Sequence, residues 1–331
     1  MVDPMVNERI YGRKNYPTDE VDPDNFLSDD TVKDIMNKLE TLKFKAEEYE
    51  KLFNCVHCGE CETETERILL KQKFIEDGNT FEGIDEMIVN FKKYRSPYPT
   101  NKMRIKRLKE IPSESDTLLF MGCLSTIRIP QYTNNALQYL LQQGIDFTIL
   151  DTEICCGWHL KISGLINEYE TSIKENREIF NSKKFKEIIC LCPACYYLFK
   201  NEMDGLEANV KYISDYLKPS NVQKTGKVGV QHLCQLMNRG RGGVDKYIDT
   251  ILKKSGYKVV DIPHWCCGGG SGWMGRTNII EKIAHKRMSD FDREDLDYVT
   301  TYCPSCWWIL RRFSKQCKIH PSAINLFELL L

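Results

Sequence analysis

Hydrophobic positions along the chain fall into short runs that alternate with longer, helix-like stretches. Asp116–Gly122 has the apolar character of a strand and ends at Cys123; residues 131–143 then show the spacing of an amphipathic helix. Phe147–Leu150 predicts a second strand just before Cys155 and Cys156. A helical stretch over 165–182 leads to a third strand, Glu187–Cys190, ahead of Cys192 and Cys195. The order then recurs, with Lys227–Val230 before Cys234, Lys258–Ile262 before Cys266 and Cys267, and Asp297–Thr301 before Cys303 and Cys306. Strand–helix–strand alternation of this kind predicts parallel sheets with right-handed crossovers.

The cysteines make the recurrence a measurable repeat. Cys123, Cys155, Cys156, Cys192 and Cys195 form one set, and Cys234, Cys266, Cys267, Cys303 and Cys306 form the other; every corresponding pair is 111 residues apart. Both sets read C-x31-CC-x35-C-x2-C, and Gly157/Gly268 and Pro193/Pro304 keep the same offset. Duplication of one ancestral unit explains this register. The expected architecture is α/β: two duplicated parallel-sheet, Rossmann-like units at 111–222 and 223–331, related by pseudo-two-fold symmetry, after a helical region at 1–110. In open parallel sheets ligands gather outside the carboxyl ends of the strands. All ten cysteines follow such ends, so each set is expected to converge on one point, giving two metal pockets. Gly157 and Gly268 let the backbone turn after the paired cysteines, and Pro193 and Pro304 stiffen the C-P-x-C turns.

Composition narrows the chemistry. At 331 residues the chain exceeds what one core serves comfortably, so two or three units are expected. Hydrophobic residues at 42% and charged residues at 28% suit a folded protein and exclude disorder. Lys plus Arg (46) balance Asp plus Glu (47), which leaves no basic field to hold nucleic acid. No run approaches the roughly 18 apolar residues of a membrane helix, and the N-terminus lacks the apolar stretch of a secretory signal. A cytoplasmic protein, peripheral to a membrane only through a partner, is expected. Its 15 cysteines then point to metal or redox chemistry rather than a disulfide framework.

Four readings of a five-cysteine set compete. Buried thiols acting as small hydrophobes would not repeat in register. Redox dithiols fit the CC and C-P-x-C pairs. Structural zinc takes four ligands, one fewer than each set offers. Iron–sulfur ligation uses the whole set best. On these residues the chain resembles the CCG-domain proteins over residues 117–315. These are typified by the catalytic subunit of heterodisulfide reductase and by the C-terminal part of that enzyme's ferredoxin-fused subunit. The resemblance implies a noncubane [4Fe–4S] cluster on each set, the two facing a shared cleft. There the mixed disulfide of coenzyme M and coenzyme B, or a similar one, is reduced with electrons from flavin- or ferredoxin-type partner subunits. Two alternatives stand beside this: an electron-transfer subunit of a lactate, glycolate, glycerol-phosphate or succinate dehydrogenase, as in relatives that share the duplication, or a non-enzymatic iron–sulfur or zinc scaffold.

The N-terminal third carries Cys55-Val-His-Cys58-Gly-Glu-Cys61. A ferredoxin motif places Cys at 65 and Pro at 66, where this chain has Thr65 and Glu66. The region resembles one half of the two-cluster ferredoxin module fused to CCG units, and 94–98 resembles the linker that follows it. Three readings stand: a [3Fe–4S] or [4Fe–4S] cluster on Cys55, Cys58 and Cys61, completed by Glu, His57, water or a partner; a Cys3His zinc site using His57; or an empty motif. Residues 28–54 read as one amphipathic helix with Val32, Ile35, Met36, Leu39, Leu42 and Phe44 on its apolar stripe. That stripe packs on the chain's own core or docks an electron donor.

An anionic coenzyme calls for cations at the cleft mouth, and Lys161, Arg128, Arg239, Arg241 and Arg276 lie near cluster cysteines. His159 and His232 are candidates for proton delivery, because an unperturbed imidazole titrates near neutral pH. Trp158, Trp265, Trp273, Trp307 and Trp308 crowd the same loops as an apolar shell. Cys190 and Cys317 fall outside the repeat and receive no ligand role. The glycine-rich run 268–272 lacks the G-K-[ST] of a phosphate loop, which disfavours nucleotide binding.

Overall fold

Both repeats open on a strand whose carboxyl end delivers the first cysteine of the set. The computed structural model describes residues 23–41, 43, 46–80, 82–100, 102–103, 108–240, 242–270, 277–292, 294–317 and 320–331. In the first repeat β1 (Thr117–Phe120) pairs in parallel with β2 (Glu187–Cys190), and β2 with β3 (Asn209–Tyr212). In the second, β4 (Lys227–Val230) lies between β5 (Lys258–Val260) and β6 (Tyr298–Thr301), with β7 (Ala323–Asn325) beside β6 and every pairing parallel.

The strand expected at 147–150 is reduced to one parallel bridge, Leu118 to Thr148. It is held by Thr148 N–H on Thr117 O (2.9 Å) and Leu119 N–H on Thr148 O (2.8 Å). Thr148 thereby takes the edge position that β5 holds in the second repeat. On the opposite edge, β3 and β7 are strands that the hydrophobic pattern does not announce.

Helices follow each strand end. The first repeat has α5 (Cys123–Ile127), α6 (Pro130–Gln142), α7 (Trp158–Ile162), α8 (Ile166–Ser182) and α9 (Pro193–Asn201). The second has α10 (Cys234–Met237), α11 (Val244–Lys254), α12 (Thr277–Asp292), α13 (Pro304–Cys317) and α14 (Leu326–Leu330). Pro193 and Pro304 stand at the first position of α9 and α13, where a missing N–H costs nothing. Gly157 (φ +90°) and Gly268 (φ +79°) supply the left-handed backbone after each cysteine pair.

The apolar interior is not divided between the repeats. One cluster holds Leu119, Met121, Ile189 and Tyr212 together with Val228, Val299 and Tyr302. Across that seam the Tyr212 hydroxyl donates to Tyr302 O at 2.5 Å. A second cluster sets Phe53, Phe74 and Phe91 against Phe120, Trp158 and Phe180 of the first repeat.

The N-terminal stretch 28–54 is two helices rather than one. Ser28 caps α1 (Asp29–Met36) by accepting from Thr31 N, and the chain turns before α2 (Ala46–Asn54). Val32 and Ile35 pack against Leu27, Leu52 and Leu70, so the stripe meets the chain's own core. Leu42 and Phe44 lie outside the described residues. The helices α3 (Glu64–Glu76) and α4 (Glu82–Tyr94) complete this region.

Candidate metal centre

Loops from both repeats open onto a single cleft of about 690 Å³, solvent at its mouth included. Nine of the ten repeat cysteines line it: Cys123, Cys156, Cys192 and Cys195 from one side, and Cys234, Cys266, Cys267, Cys303 and Cys306 from the other. Cys155 sits behind, its sulfur 3.7 Å from that of Cys123. The two sets thus face one shared cleft, as the resemblance implies, because the continuous core places the strand ends face to face.

Backbone and helix ends aim the sulfurs. Cys192 caps the N-terminus of α9, and its thiol is held below the usual range by hydrogen bonds from the Cys195 thiol and from the Cys195 and Ala194 amides, against the cost of burial. Cys155 N donates to Arg95 O at 2.9 Å, so the 94–98 linker fixes the first paired-cysteine loop. Gly157 N points at the Cys155 sulfur (3.5 Å), and Gly268 N at that of Cys266 (3.4 Å). Glu153 braces the loop before Cys123, accepting from Met121 N and Gly122 N at 2.7 Å each. Burial pushes its carboxyl up to about 7 although both N–H groups oppose this. Glu153→Ala strands two buried donors, and denaturant unfolding is expected to show a loss of roughly 1–3 kcal/mol for each.

This donor set fits a sulfur-ligated metal group. The side chains of fourteen cysteines are described and all are free thiols. Cys155 is held well below the usual thiol range by hydrogen bonds from Cys123 and Cys156, and Cys267 at about 6 by those from Cys266 and Cys306. Hydrogen bonding to Cys155, together with burial, raises Cys123. Sulfurs thus compete for one another's protons in a site with few other donors, and bound cations relieve that competition. Among the described residues no three His, Cys, Asp or Glu side chains close on one point as ligands of a single ion do. Sulfurs spread around a cavity suit a group of several metals better than one zinc ion.

The structure separates the other candidate residues. Of the predicted cations and histidines that lie among the described residues, His159 alone lines the cleft. Burial drives its imidazole down to about 4, so at neutral pH it is uncharged and offers one N–H rather than a transferable proton. His232 faces Asp249 (3.3 Å) and the Tyr302 hydroxyl (3.4 Å). Lys161 pairs with Glu202, Arg239 pairs with Glu64, and the Arg128 guanidinium lies 4.7 Å from the centre of the Tyr98 ring. Arg241, Arg276 and Trp273, and the Cys317 side chain, lie outside the described residues. Trp158 lines the cleft, whereas Trp307 is buried against Tyr132 (5.6 Å) and Trp265 is half exposed. Sequence reasoning missed Val56, Ser125, Gln235 and Ser305, the remaining polar and N-terminal lining. Cys190 is wholly buried at the end of β2.

The N-terminal cysteines lie beside the second repeat. Cys55 and Cys61 share a hydrogen bond that lowers Cys55 to about 6, while burial raises Cys58 to about 11. His57 accepts from Lys71 Nζ at Nε2 (2.7 Å) and faces Glu64 at Nδ1 (3.2 Å). Both ring nitrogens are engaged by protein side chains in this arrangement. Lys71, fully buried, also donates to Ile162 O at 3.0 Å.

A family model described as the cysteine-rich CCG domain matches residues 117–200 and again 228–311. The chain belongs to the CCG cysteine-rich domain family. The two matches span the two cysteine sets and support the duplicated α/β reading of this CCG protein. It is 26% identical over 300 residues to an iron–sulfur protein of Methanococcus maripaludis, covering 82% of this chain and 59% of that one. It is 27% identical over 201 residues to a fumarate reductase (CoM/CoB) subunit of Methanothermobacter marburgensis, 56% of this chain and 40% of that protein. With a dihydromethanophenazine:CoB–CoM heterodisulfide reductase subunit of Methanosarcina mazei it shares 22% over 289 residues, 76% and 70% of the two chains. The CCG chain thus spans about three fifths of the length of the first of these relatives. Among solved structures, a protein of Helicobacter pylori has a TM-score of 0.59 at 12% identity, covering 94% of this chain and 69% of that one, a likeness of fold. No helix among the described residues is long and apolar enough to cross a membrane.

Proposed function

We propose that this CCG protein is the iron–sulfur subunit of an oxidoreductase that reduces a disulfide in the cleft between its two cysteine sets, with Cys123, Cys155, Cys156, Cys192 and Cys195 holding one cluster and Cys234, Cys266, Cys267, Cys303 and Cys306 the other. The observation that carries this reading is that sulfurs of both sets line one cavity. Iron–sulfur groups held by these cysteines would supply one-electron chemistry beside the substrate's sulfurs. Two electrons and two protons convert the disulfide to two thiols, so a two-sided site suits the stoichiometry.

The chain's own residues shape the rest. Trp158, Leu124, Val56 and Pro193 wall the cleft with apolar surface and exclude water from the sulfurs. His159 lines the cleft from the first repeat, where Gly270 occupies the equivalent position in the second. Among the described residues no Lys or Arg lines the cleft. The protein takes its electrons from a flavin- or ferredoxin-type partner, as expected for a relative of redox-complex subunits.

Oxygen-free purification with iron and sulfide analysis, then EPR after chemical oxidation in the presence of each product thiol, tests this reading. A paramagnetic signal whose shape changes with the thiol is the expected result; one indifferent to every thiol overturns disulfide chemistry. It would favour instead an electron-transfer subunit of a dehydrogenase, the reading supported by the likeness to the fumarate reductase protein.

A further inference from the structure

Tyr139, Tyr257, Tyr212 and Tyr302 all find partners for their phenols. Tyr139 donates to Lys218 O (3.2 Å), Tyr257 to Leu329 O (3.2 Å) and Tyr212 to Tyr302 O (2.5 Å), while the Tyr302 hydroxyl faces His232. Tyr132 does not. Its side chain is wholly buried on α6, and among the described residues its hydroxyl meets no hydrogen-bond partner. A buried O–H left unpaired costs the desolvation of that group, so the position calls for an acceptor that the neighbouring protein atoms do not supply.

The surroundings of Tyr132 belong mostly to the other repeat. Its ring lies 5.6 Å from that of Trp307 and 5.6 Å from that of Phe327, centre to centre, and both neighbours come from the second repeat. Trp307 directly follows Cys306, and its indole N–H is likewise buried without a partner among the described residues. Burial raises the Tyr132 phenol, and the charges of Cys303, Cys306 and Cys192 raise it further. The phenol therefore stays protonated, a donor, close enough to sulfurs of the second set to feel them although none accepts from it. The 111-residue offset sets Gly243 against Tyr132, so the second repeat returns no phenol to the first. The contribution runs one way.

We propose that Tyr132 is a hydrogen-bond donor lent by the first repeat to the second, its hydroxyl directed to a sulfur of the iron–sulfur group that Cys303 and Cys306 help to hold. The inference rests on the iron–sulfur reading above. A donor on such a sulfur favours the reduced, more negative state and so raises the reduction potential. The two sets are thereby made unequal, because the position that would serve the first set in the same way is Gly243.

The experiment uses the full chain isolated without oxygen in two backgrounds: Cys195→Ser, which keeps the second set whole, and Cys306→Ser, which keeps the first. Resonance Raman spectra in H2O and D2O read the hydrogen bonds to sulfur as a shift of the Fe–S stretching bands. In the Cys195→Ser background Tyr132→Phe should shrink that shift, leaving the share due to the Gly268 and Gly269 amides on Cys266 and Cys267 (3.4 Å each). It should also lower the midpoint potential in a redox titration. A meta-fluorotyrosine at position 132, a stronger donor of nearly the same size, should move both readings the other way. In the Cys306→Ser background Tyr132→Phe should change neither. Circular dichroism should stay constant, since phenylalanine fills the same space; if it does not, the fluorotyrosine chain decides alone. Equal effects in the two backgrounds, a larger effect in Cys306→Ser, or no effect in either overturns the proposal. An isotope shift that depends on Tyr132 only after a thiol is added assigns the hydroxyl to the substrate and overturns it as well. Iron bound in both backgrounds leaves the disulfide reading standing in each of those cases, whereas chains that bind no iron sink both.

Discussion

Serine at Cys195 and, separately, at Cys306 is expected to remove the iron of one repeat while leaving that of the other, and to abolish the thiol-sensitive EPR signal in both cases. The two positions are equivalents 111 residues apart, both buried, and each lies in the first turn of a helix that begins with proline. Serine fits the space, so the fold should survive; its hydroxyl is a hard, poorly ionised donor where a soft thiolate is needed. The loss of activity should exceed the roughly 10–100-fold that accompanies removal of an outer-shell partner of a metal site. Iron analysis and turnover with a disulfide substrate check this. If one variant keeps full activity, the chemistry belongs to a single repeat and the two-sided cleft is not the reacting site.

The equivalence behind that prediction is the part of the molecule most legible in the chain. Short apolar runs end just before cysteines because parallel strands deliver loops at their carboxyl ends, and β1, β2, β4, β5 and β6 all start or finish within a few residues of the expected runs. Edge strands were hidden for a physical reason. Asn209–Tyr212 and Ala323–Asn325 interleave polar with apolar residues and neither leads into a cysteine loop, so neither carries the signal that marks the other strands, although they are no shorter. Conversely Phe147–Leu150 looks like a strand, yet pairs through Thr148 alone.

Juxtapositions between distant segments were not legible. Arg239 reads as a cation near Cys234, and nothing local says that its partner is Glu64, 175 residues earlier. A signal did exist in the offset. It pairs His159 with Gly270 and Trp158 with Gly269, so the second repeat lacks two bulky side chains that the first carries. That absence marks the place where the backbone at Val56 comes close. The shared cleft is implied by the family resemblance, but the common core that builds it is not visible in any local pattern.

Arg239→Met is expected to destabilise the protein by about 3–5 kcal/mol, the usual consequence of leaving one member of a buried ion pair alone. The Arg239 and Glu64 side chains are only 8% and 16% exposed, so solvent does little to screen the stranded carboxylate. Loss of the contacts with Trp158 and Tyr197 adds to the effect. Glu64→Gln/Arg239→Met should recover part of the loss, since no charge is then left uncompensated, and the coupling is read from the double-mutant cycle.

The same pair predicts a pH dependence. Burial alone would raise the Glu64 carboxyl, but hydrogen bonds from His57 and Arg239 bring it from 4.5 down to about 2. The folded chain therefore binds fewer protons than the unfolded chain in that interval. The stabilisation is complete above about pH 4.5 and is lost as the pH falls towards about 2. The interval corresponds to about 3 kcal/mol. The gap in unfolding free energy between wild type and Glu64→Gln should thus be widest near neutrality and close in acid. A gap that stays constant from neutrality into acid would show that the folded and unfolded chains hold the Glu64 proton equally tightly, and that the pairing with Arg239 contributes no charge-dependent stability.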